Sequence, residues 1–328
     1  MSYDFVSIGS ATVDQFADTD SELIKIQTRT TSEELIAYPL GSKLLVKELN
    51  ITTGGGGTNS AVALARLGLH TAFLGKLGAD ANGVFVLQAL SEEGIDFIGG
   101  CEGQTGVSII LNSIADDRSI LAFKGANNHL FAKDIVPFES QWLYISSMLE
   151  DSFDTIVSLL KSHQGKVAFN PSNYQTELGY DSLADLIEQV DVLILNKEEA
   201  ATFLGQRYKD DPEPEVLMKA LEVLSPSMFV ITDGSAGVYV YDRKNLYHGQ
   251  PLEGINIKET TGAGDAFGAT FTAAQYFGLS QEQAIDMAMT NAESVIQYKG
   301  AKEKLLSRQA LEKKMKKCER KISKKTLA

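Results

Sequence analysis

Residues 259–267 read Glu-Thr-Thr-Gly-Ala-Gly-Asp-Ala-Phe, and this stretch predicts both the fold and the kind of site. Gly262 and Gly264 have no Cβ, so the turn can adopt backbone angles that are closed to other residues. Apolar residues at helical spacing follow over 265–276, and Gly278 then provides a C-cap. A glycine turn at the start of a helix presents unpaired N–H groups and the positive end of the helix dipole. The stretch therefore predicts an anion site suited to phosphate.

Asp265, at the start of this predicted helix, has two interpretations. An acid in the first turn of a helix complements the helix dipole, a contribution of ~0.3–1 kcal/mol. Alternatively, an acid beside a bound phosphate is a catalytic base that accepts the proton of an attacking hydroxyl. The rest of the chain bears on this choice.

Composition sets limits on the class of protein. The chain has 328 residues, of which 44% are hydrophobic, so it can build one large α/β domain with a sizeable core. Two cysteines favour the reducing cytoplasm over a disulfide framework. A net charge of −13 argues against a nucleic-acid partner. Since no apolar run approaches ~18 residues, we expect no membrane span.

The carboxyl end is basic, with eleven Lys or Arg and three Glu in residues 301–328. Apolar residues recur there at helical spacing, which predicts a last helix with a solvated basic face. The alternative is a tail that touches anions or membranes. We predict one domain over 1–322 and a frayed basic tail over 323–328. The spaced apolar residues are Leu311, Met315, Cys318 and Ile322.

Strand-like apolar runs alternate with helical segments along most of the chain, and several of these runs end in small or polar residues. This alternation predicts a mostly parallel sheet covered by helices on both faces. Ligands bind at the carboxyl ends of the strands in such sheets, so the site can be placed there. The predicted strands are 5–8, 71–74, 142–145, 167–169, 192–195 and 228–231.

Two stretches, about 14–53 and about 98–126, interrupt this alternation. The first contains the extended-looking residues 44–49, and the second contains β-rich runs at 107–111 and 120–123. We expect these excursions to pair into a small separate β-layer that lies over the ligand crevice as a lid.

A run of four glycines, 54–57, precedes Thr58, Asn59 and a predicted helix at 61–67. Ordering four glycines has a large entropic cost, which suggests that backbone approaches a ligand closely. Asn59 would offer such a ligand, for example a polyhydroxyl compound, both a donor and an acceptor. The alternative is a flexible hinge loop.

Polar residues at other predicted strand ends are further candidates. Asp14 either accepts hydrogen bonds from sugar hydroxyls or is a turn acid. Glu199 either holds Mg²⁺, directly or through water, or takes part in N-capping with Asn196. Residues 232–237 either lie beside a nucleotide or form a hairpin turn.

Taken in order, these motifs resemble those of the ribokinase-type carbohydrate kinases, also called the phosphofructokinase-B type. One motif alone would be a weak signal, but the ordered set spans residues 4 to about 302 and is specific. The resemblance implies a three-layer, doubly wound, mostly parallel α/β sheet with a small β lid. The matching pieces are Gly9 with Asp14, 54–59 with 61–68, Asn196 with Glu199, Thr232 with Gly234 and Gly237, 260–267, and Asn291 with Gly300 and Ala301.

The resemblance implies an ATP-dependent phosphotransferase that acts on a hydroxyl of a small sugar or sugar derivative. Asp265 would be the base, and the N–H groups of Gly262, Ala263 and Gly264 would stabilise the transferring phosphoryl group. Glu199 would serve magnesium, and the lid would make a homodimer contact. The sugar would be held by Asp14, Gly55, Asn59 and Glu150. The nucleotide would be held by Asn196, Thr232, Gly234, Gly237 and Asn291.

The sequence departs from the family's pattern at two points. Glu259 stands where the family has Asp, close to its monovalent-cation site, so potassium binding by Glu259 and Thr261 stays open. Gly56 stands where ribokinases proper carry lysine, which argues against ribose as the substrate.

Two further functions fit the same scaffold. A nucleoside kinase would need aromatic side chains near the sugar site, for which Phe16, Tyr38 and Phe123 are candidates. A catalytically silent ligand sensor would have no need of a base, and the intact 262–265 stretch argues against it. A NAD-dependent oxidoreductase is disfavoured because no glycine fingerprint follows the first strand.

Overall fold

The structure, a computed structural model, describes residues 1–19, 22–27, 32–38, 40–112, 118–205 and 212–327. The strands are β1 Ser2–Ile8, β2 Thr12–Asp18, β3 Glu22–Gln27, β4 Ser32–Ala37, β5 Glu48–Gly54, β6 Thr71–Leu74, β7 Lys76–Leu77, β8 Asp96–Phe97, β9 Gly100–Cys101, β10 Gly106–Asn112, β11 Arg118–Phe123, β12 Glu139–Ile145, β13 Lys166–Phe169, β14 Val192–Asn196, β15 Met228–Thr232, β16 Val238–Tyr241, β17 Asn245–Gly249 and β18 Ile322–Thr326. The helices are α1 Gly56–Arg66, α2 Ala81–Glu92, α3 Glu150–Leu160, α4 Asn173–Thr176, α5 Gly179–Ile187, α6 Lys197–Phe203, α7 Pro214–Leu221, α8 Ala263–Tyr276, α9 Gln281–Val295 and α10 Arg308–Met315.

A ten-stranded sheet forms the centre of the molecule, in the order β18-β17-β16-β15-β14-β13-β12-β1-β6-β8. The strands from β15 to β8 run parallel to their neighbours, and β16, β17 and β18 add an antiparallel edge. All six strands predicted from the sequence lie in this sheet, as β1, β6, β12, β13, β14 and β15.

Alternate residues of each central strand pack into different hydrophobic cores. In β12, Trp142 and Tyr144 belong to one core, whereas Leu143 and Ile145 belong to the other. Helices α1, α2, α8, α9 and α10 cover the first face, and α3, α5, α6 and α7 cover the second. Each fully buried large apolar side chain contributes about 1.5–3 kcal/mol. The predicted three-layer α/β architecture is confirmed.

The two predicted excursions pair into a separate four-stranded sheet, in the order β11-β10-β2-β5, which we call the lid. Strand β10 is parallel to β2 and antiparallel to β11, and β5 is antiparallel to β2. The extended run predicted at 44–49 is correct only at its end, because the pairing with β2 begins at Glu48. Within the described part of the chain, no helix has the length and apolar character needed to cross a bilayer.

The last helix predicted at the carboxyl end is present as α10, but its predicted extent to Ile322 and the frayed tail are wrong. Helix α10 ends at Met315, and most of the tail predicted to fray lies in β18, paired with β17; Ala328 lies outside the described residues. Arg320 explains the change of direction, because its buried guanidinium donates to both carboxylate oxygens of Glu293, at 2.7 and 2.8 Å. This ion pair ties the chain to α9 before it enters the sheet edge.

Candidate active site

The turn before α8 has the conformation that its glycines predict. Gly262 adopts a left-handed φ of 77°, and a Cβ at this position would overlap Ala301. Gly264 differs, since a Cβ there would meet no atom within 4 Å. The backbone of Gly264 is therefore open to an approaching ligand, while Gly262 is fixed by its neighbours.

One of the three predicted N–H donors already has a partner. The Ala263 N–H donates to the Thr260 carbonyl at 3.2 Å. Asp265 follows as the third residue of α8. The turn therefore places its glycine backbone and the candidate base on the same end of one helix.

A cleft of about 340 Å³ lies at the carboxyl ends of the central strands. Ser10 follows β1, Ser146 follows β12, and Asn170 follows β13, and all three line the cleft. The cleft thus lies at the carboxyl edge of the sheet, where the strand ends predicted a ligand site. Six of the predicted site residues line the cleft, namely Asn196, Glu199, Thr232, Gly262, Gly264 and Asp265.

The Asp265 carboxyl accepts a hydrogen bond from α1, the helix that begins in the glycine run. Asn59 donates through Nδ2 to Asp265 Oδ2 at 2.8 Å. Burial raises the pKa of Asp265, whereas the Asn59 hydrogen bond and the charge of Lys302 lower it. A Cβ at Gly56 would lie 3.0 Å from Ser146 Oγ and 3.3 Å from Asp265 Oδ1. The missing side chain at Gly56 therefore keeps the space beside the candidate base open.

Asp14 acts electrostatically on this carboxyl but does not line the cleft. It is 8% exposed, and its Oδ1 accepts a hydrogen bond from Thr12 Oγ1 at 2.7 Å. Burial raises the pKa of Asp14, and its charge in turn raises that of Asp265. A Cβ at Gly54 would overlap the Asp14 carboxylate, so the first glycine of the run makes room for it. Gly55, also outside the cleft lining, is the N-cap of α1.

Lys302 does not line the cleft, but its charge acts on the candidate base Asp265, and sequence reasoning missed it. Its Nζ donates to Thr58 Oγ1 at 3.2 Å, and its backbone carbonyl accepts from Arg66 at 2.8 Å. Burial lowers the pKa of Lys302 to about 8, while the charges of Asp14 and Asp265 act against this shift. The sequence signal was available, because Lys302 directly follows the Gly300-Ala301 pair.

Asn196 and Glu199 form a capping box at the start of α6. Asn196 Oδ1 accepts from the Glu199 N–H at 2.7 Å, and Glu199 Oε2 accepts from the Asn196 N–H at 2.9 Å. The N-capping interpretation is therefore confirmed, although both residues also line the cleft. Burial raises the pKa of Glu199 to about 7.

The carboxylate of Glu199 suits only a metal ion that takes few ligands from the protein. The described residues contain no group of three or more His, Cys, Asp or Glu side chains that could hold a metal ion. Mg²⁺ keeps several waters and is bound through one or two carboxylates together with substrate phosphates. Glu199 and a bound triphosphate would meet this requirement, so magnesium stays a prediction.

Of the three residues predicted to bind the nucleotide at the end of β15, one lines the cleft and two lie in a turn. Thr232 ends β15 and lines the cleft. Gly234 and Gly237 belong to the tight connection to β16, where the Asp233 N–H donates to the Gly237 carbonyl at 2.8 Å. The hairpin-turn interpretation is confirmed, and nucleotide contacts by these glycines stay predictions.

Asn291 does not line the cleft. It is fully buried, its Nδ2 donates to Thr270 Oγ1 at 2.8 Å, and its Oδ1 accepts from the Leu306 N–H at 2.9 Å. This corrects the expectation that Asn291 lines a nucleotide pocket. Its amide joins α8 and α9 to the segment before α10, which is why a polar residue occurs there in the core.

Glu150 is exposed at the start of α3 and lies outside the cleft lining. Its Oε1 accepts from Asn128 Nδ2 at 2.8 Å, and its φ of 53° is left-handed. Such a conformation costs about 1–3 kcal/mol for a residue other than glycine. A sugar contact by Glu150 stays a prediction.

The predicted monovalent-cation residues lie where two loops meet. Glu259 Oε2 accepts from the Gly300 N–H at 3.0 Å, so its longer side chain reaches the loop that precedes Lys302. Thr261 is part of the turn before α8. The contact joins the two segments that surround Gly262, and potassium binding there stays a prediction.

Fold and site together define a phosphotransferase. The N-terminus of α8, which is suited to an anion, lines a cleft at the carboxyl edge of a parallel sheet, and a carboxyl group with a raised pKa lies in the first turn of this helix. Phosphoryl transfer needs little beyond these parts, because its catalysis consists mainly of positioning and electrostatic stabilisation.

The chain belongs to the pfkB family of carbohydrate kinases, whose family model matches residues 6–308, and is thus an ATP-dependent carbohydrate kinase. It is 27% identical over 281 residues to a ribokinase of Haemophilus influenzae, covering 82% of this chain and 89% of the relative. The structure of Arabidopsis thaliana ribokinase complexed with ribose and ATP is similar, with a TM-score of 0.77 at 21% identity over 95% of this chain and 98% of that one. Adenosine kinase from Sinorhizobium meliloti gives a TM-score of 0.77 at 20% identity over 95% and 99%.

Proposed function

We propose that the protein transfers the γ-phosphoryl group of ATP to a hydroxyl of a small sugar or sugar derivative bound between the lid and Asp265. The observation that supports this best is the Asp265 carboxyl itself. It lies in the first turn of α8, accepts a hydrogen bond from Asn59 and faces the open space left by Gly56. Its raised pKa suits a group that must accept a proton.

In the proposed reaction, Asp265 accepts the proton of the acceptor hydroxyl as the hydroxyl oxygen bonds to the γ-phosphorus. The bond from the γ-phosphorus to the bridging oxygen breaks, and ADP leaves with that electron pair. Backbone N–H groups of Gly262 and Gly264 stabilise the charge on the transferring group. The Ala263 N–H contributes only by sharing its present bond to Thr260.

The nucleotide in this proposal lies along the strand ends that carry Asn196, Glu199 and Thr232. ATP is the bound nucleotide in the similar Arabidopsis thaliana ribokinase structure. A magnesium ion bound with the nucleotide would supply positive charge that neutralises the charge developing on the phosphates. Glu199 would hold that ion through water, and the ion would stabilise the ionised form of a carboxyl whose pKa burial has raised.

The experiment that tests the proposal is a coupled assay of ADP release with magnesium, run with and without potassium. The panel contains ribose, fructose, sugar phosphates, deoxy-keto sugar acids and nucleosides. We expect turnover on a sugar or sugar derivative. ATP binding without ADP release from any member would instead support the sensor function.

A nucleoside kinase is the second candidate, and one aromatic residue favours it. Tyr174 lines the cleft and is exposed enough to contact a base. The three aromatic residues suggested by the sequence do not line the cleft. Phe16 is buried in the lid, and Phe123 is half exposed on it. Turnover on nucleosides and not on sugars would decide for this candidate.

We further propose that the protein is a homodimer whose subunits meet through the lid. Strand register places five apolar residues on one face of the lid, and each is between 38% and 57% exposed. A contiguous exposed apolar patch of this kind marks an interaction site. A second copy of the same face is a self-complementary partner. We call this set the lid patch; it consists of Leu49, Ile51, Ile109, Leu121 and Phe123.

A further inference from the structure

The cleft contains a cation that the proposed reaction does not use. Lys124 directly follows β11 of the lid, and its side chain lines the cleft. Its Nζ lies 4.9 Å from the centre of the Tyr174 ring, which lines the same cleft. A lysine over a ring face is favourable, and the contact fixes where the ammonium points.

The charge of Lys124 has no counterion in the described part of the chain. No carboxylate there forms an ion pair with it, and burial lowers its pKa with no opposing charge. Lys302 provides the contrast, because Asp14 and Asp265 favour its charged form. Partial burial of an unpaired charge is costly, and a bound anion would remove that cost.

The position of Lys124 indicates which ligand brings the anion. The lysine belongs to the lid, the sheet that also contains Asp14 and leads through Gly54 to the glycine-run helix. The proposed nucleotide edge is on the central sheet, at Asn196 and Thr232. The cleft also exposes the Ser147 and Ser172 hydroxyls, which are joined by a hydrogen bond of 2.6 Å.

We propose that Lys124, held by Tyr174, is a subsite for a carboxylate or phosphate on the acceptor, so that the substrate is an acidic sugar derivative. This inference rests on the proposed kinase function, whose acceptor class it narrows. The glycine at position 56 is consistent with this subsite. It contributes no side chain beside Asp265, so the positive charge for the acceptor comes from Lys124 instead.

Equilibrium binding tests the subsite without requiring turnover. Calorimetry would give Kd values for fructose 6-phosphate, 2-keto-3-deoxygluconate, fructose, ribose and a non-hydrolysable ATP analogue. The proteins would be the wild type, Lys124→Met, Lys124→Arg and the control Lys133→Met. Lys133 is also a lysine over a ring, Phe131, but it is exposed outside the cleft.

We expect at least one anionic acceptor to bind at least tenfold more tightly than the neutral sugars. Lys124→Met should weaken that binding at least tenfold and leave neutral sugars and the ATP analogue within threefold. Lys124→Arg should retain most of the affinity, and Lys133→Met should match the wild type.

Three results would overturn the inference. These are no preference for an anionic acceptor, including no binding at all, an unchanged preference in Lys124→Met, or an equal loss for the ATP analogue. The last would assign Lys124 to the donor phosphate. Anion-selective binding without ADP release would refute the kinase function and leave the subsite standing.

Discussion

The two walls of the cleft differ in what determines their shape. On the central-sheet side, backbone does so, because the left-handed Gly262 packs on Ala301 and sets the start of α8. On the lid side, side chains do so, because Lys124, which follows β11, lies over the ring of Tyr174 on α4. We infer that the first wall performs the transfer and the second selects the acceptor. Substitutions on each wall should therefore have different signatures.

The largest expected effect is on the first wall. Asp265→Asn should lower kcat about 10²–10⁴-fold with nearly unchanged ATP affinity, because a general base acts in the transition state. The matched control is Asp181→Asn, since Asp181 is likewise the third residue of its helix, α5, but is exposed and outside the cleft. Steady-state kinetics and nucleotide titration measure both variants. Unchanged turnover in Asp265→Asn would remove its assignment as the base.

Two glycine substitutions on the same wall distinguish a residue needed for the backbone conformation, Gly262, from one needed for ligand access, Gly264. Gly262→Ala should lower the free energy of unfolding by about 1–3 kcal/mol, because the left-handed φ and Ala301 both exclude a methyl group. Gly264→Ala should keep the fold, since its Cβ meets no atom, yet lower kcat roughly tenfold by placing a methyl group where the phosphoryl group approaches. Denaturant unfolding and kinetics on both variants measure this. Equal stability losses would contradict the distinction.

The lid patch gives the next prediction. Leu121→Glu should raise the dimer dissociation constant at least tenfold, because it places a charge within the proposed interface. Light scattering during size-exclusion chromatography measures the change. Val223→Glu is the control, since Val223 is highly exposed and lies outside the lid. A wild-type monomer at all concentrations would rule out the interface.

The smallest predicted effect concerns Lys302, which lies outside the cleft lining but acts on the charge of Asp265. Below its pKa of about 8 this lysine is charged, and its charge lowers the pKa of Asp265. Lys302→Met should therefore raise that pKa and move the acidic limb of kcat/KM to higher pH. Lys304→Met, two residues on and exposed, should leave the limb in place. A downward shift would contradict the sign of the coupling.

The first wall was largely predictable from sequence, and the second was not. Glycines and helical periodicity are local signals, so the turn at 262–264, helix α8 and the central strands were read correctly. Lys124 reaches the cleft, and Lys302 comes near Asp265, only because segments distant in sequence fold together, which no local pattern encodes. Helical spacing recurs at Leu311, Met315, Cys318 and Ile322, but only the first two lie in α10. Ile322 is in a strand because the end of this segment pairs with β17.

Strand β18 has a consequence for handling the protein. It is the outermost strand of the central sheet, and Lys324 and Lys325 give it the charged character that discourages edge-to-edge pairing. A chain shortened at residue 321 would instead expose the edge of β17, whose Leu246 and Tyr247 are buried. Such a truncated chain should aggregate on storage. In the full chain, β18 covers this edge, and its lysines disfavour pairing with the sheet of another molecule.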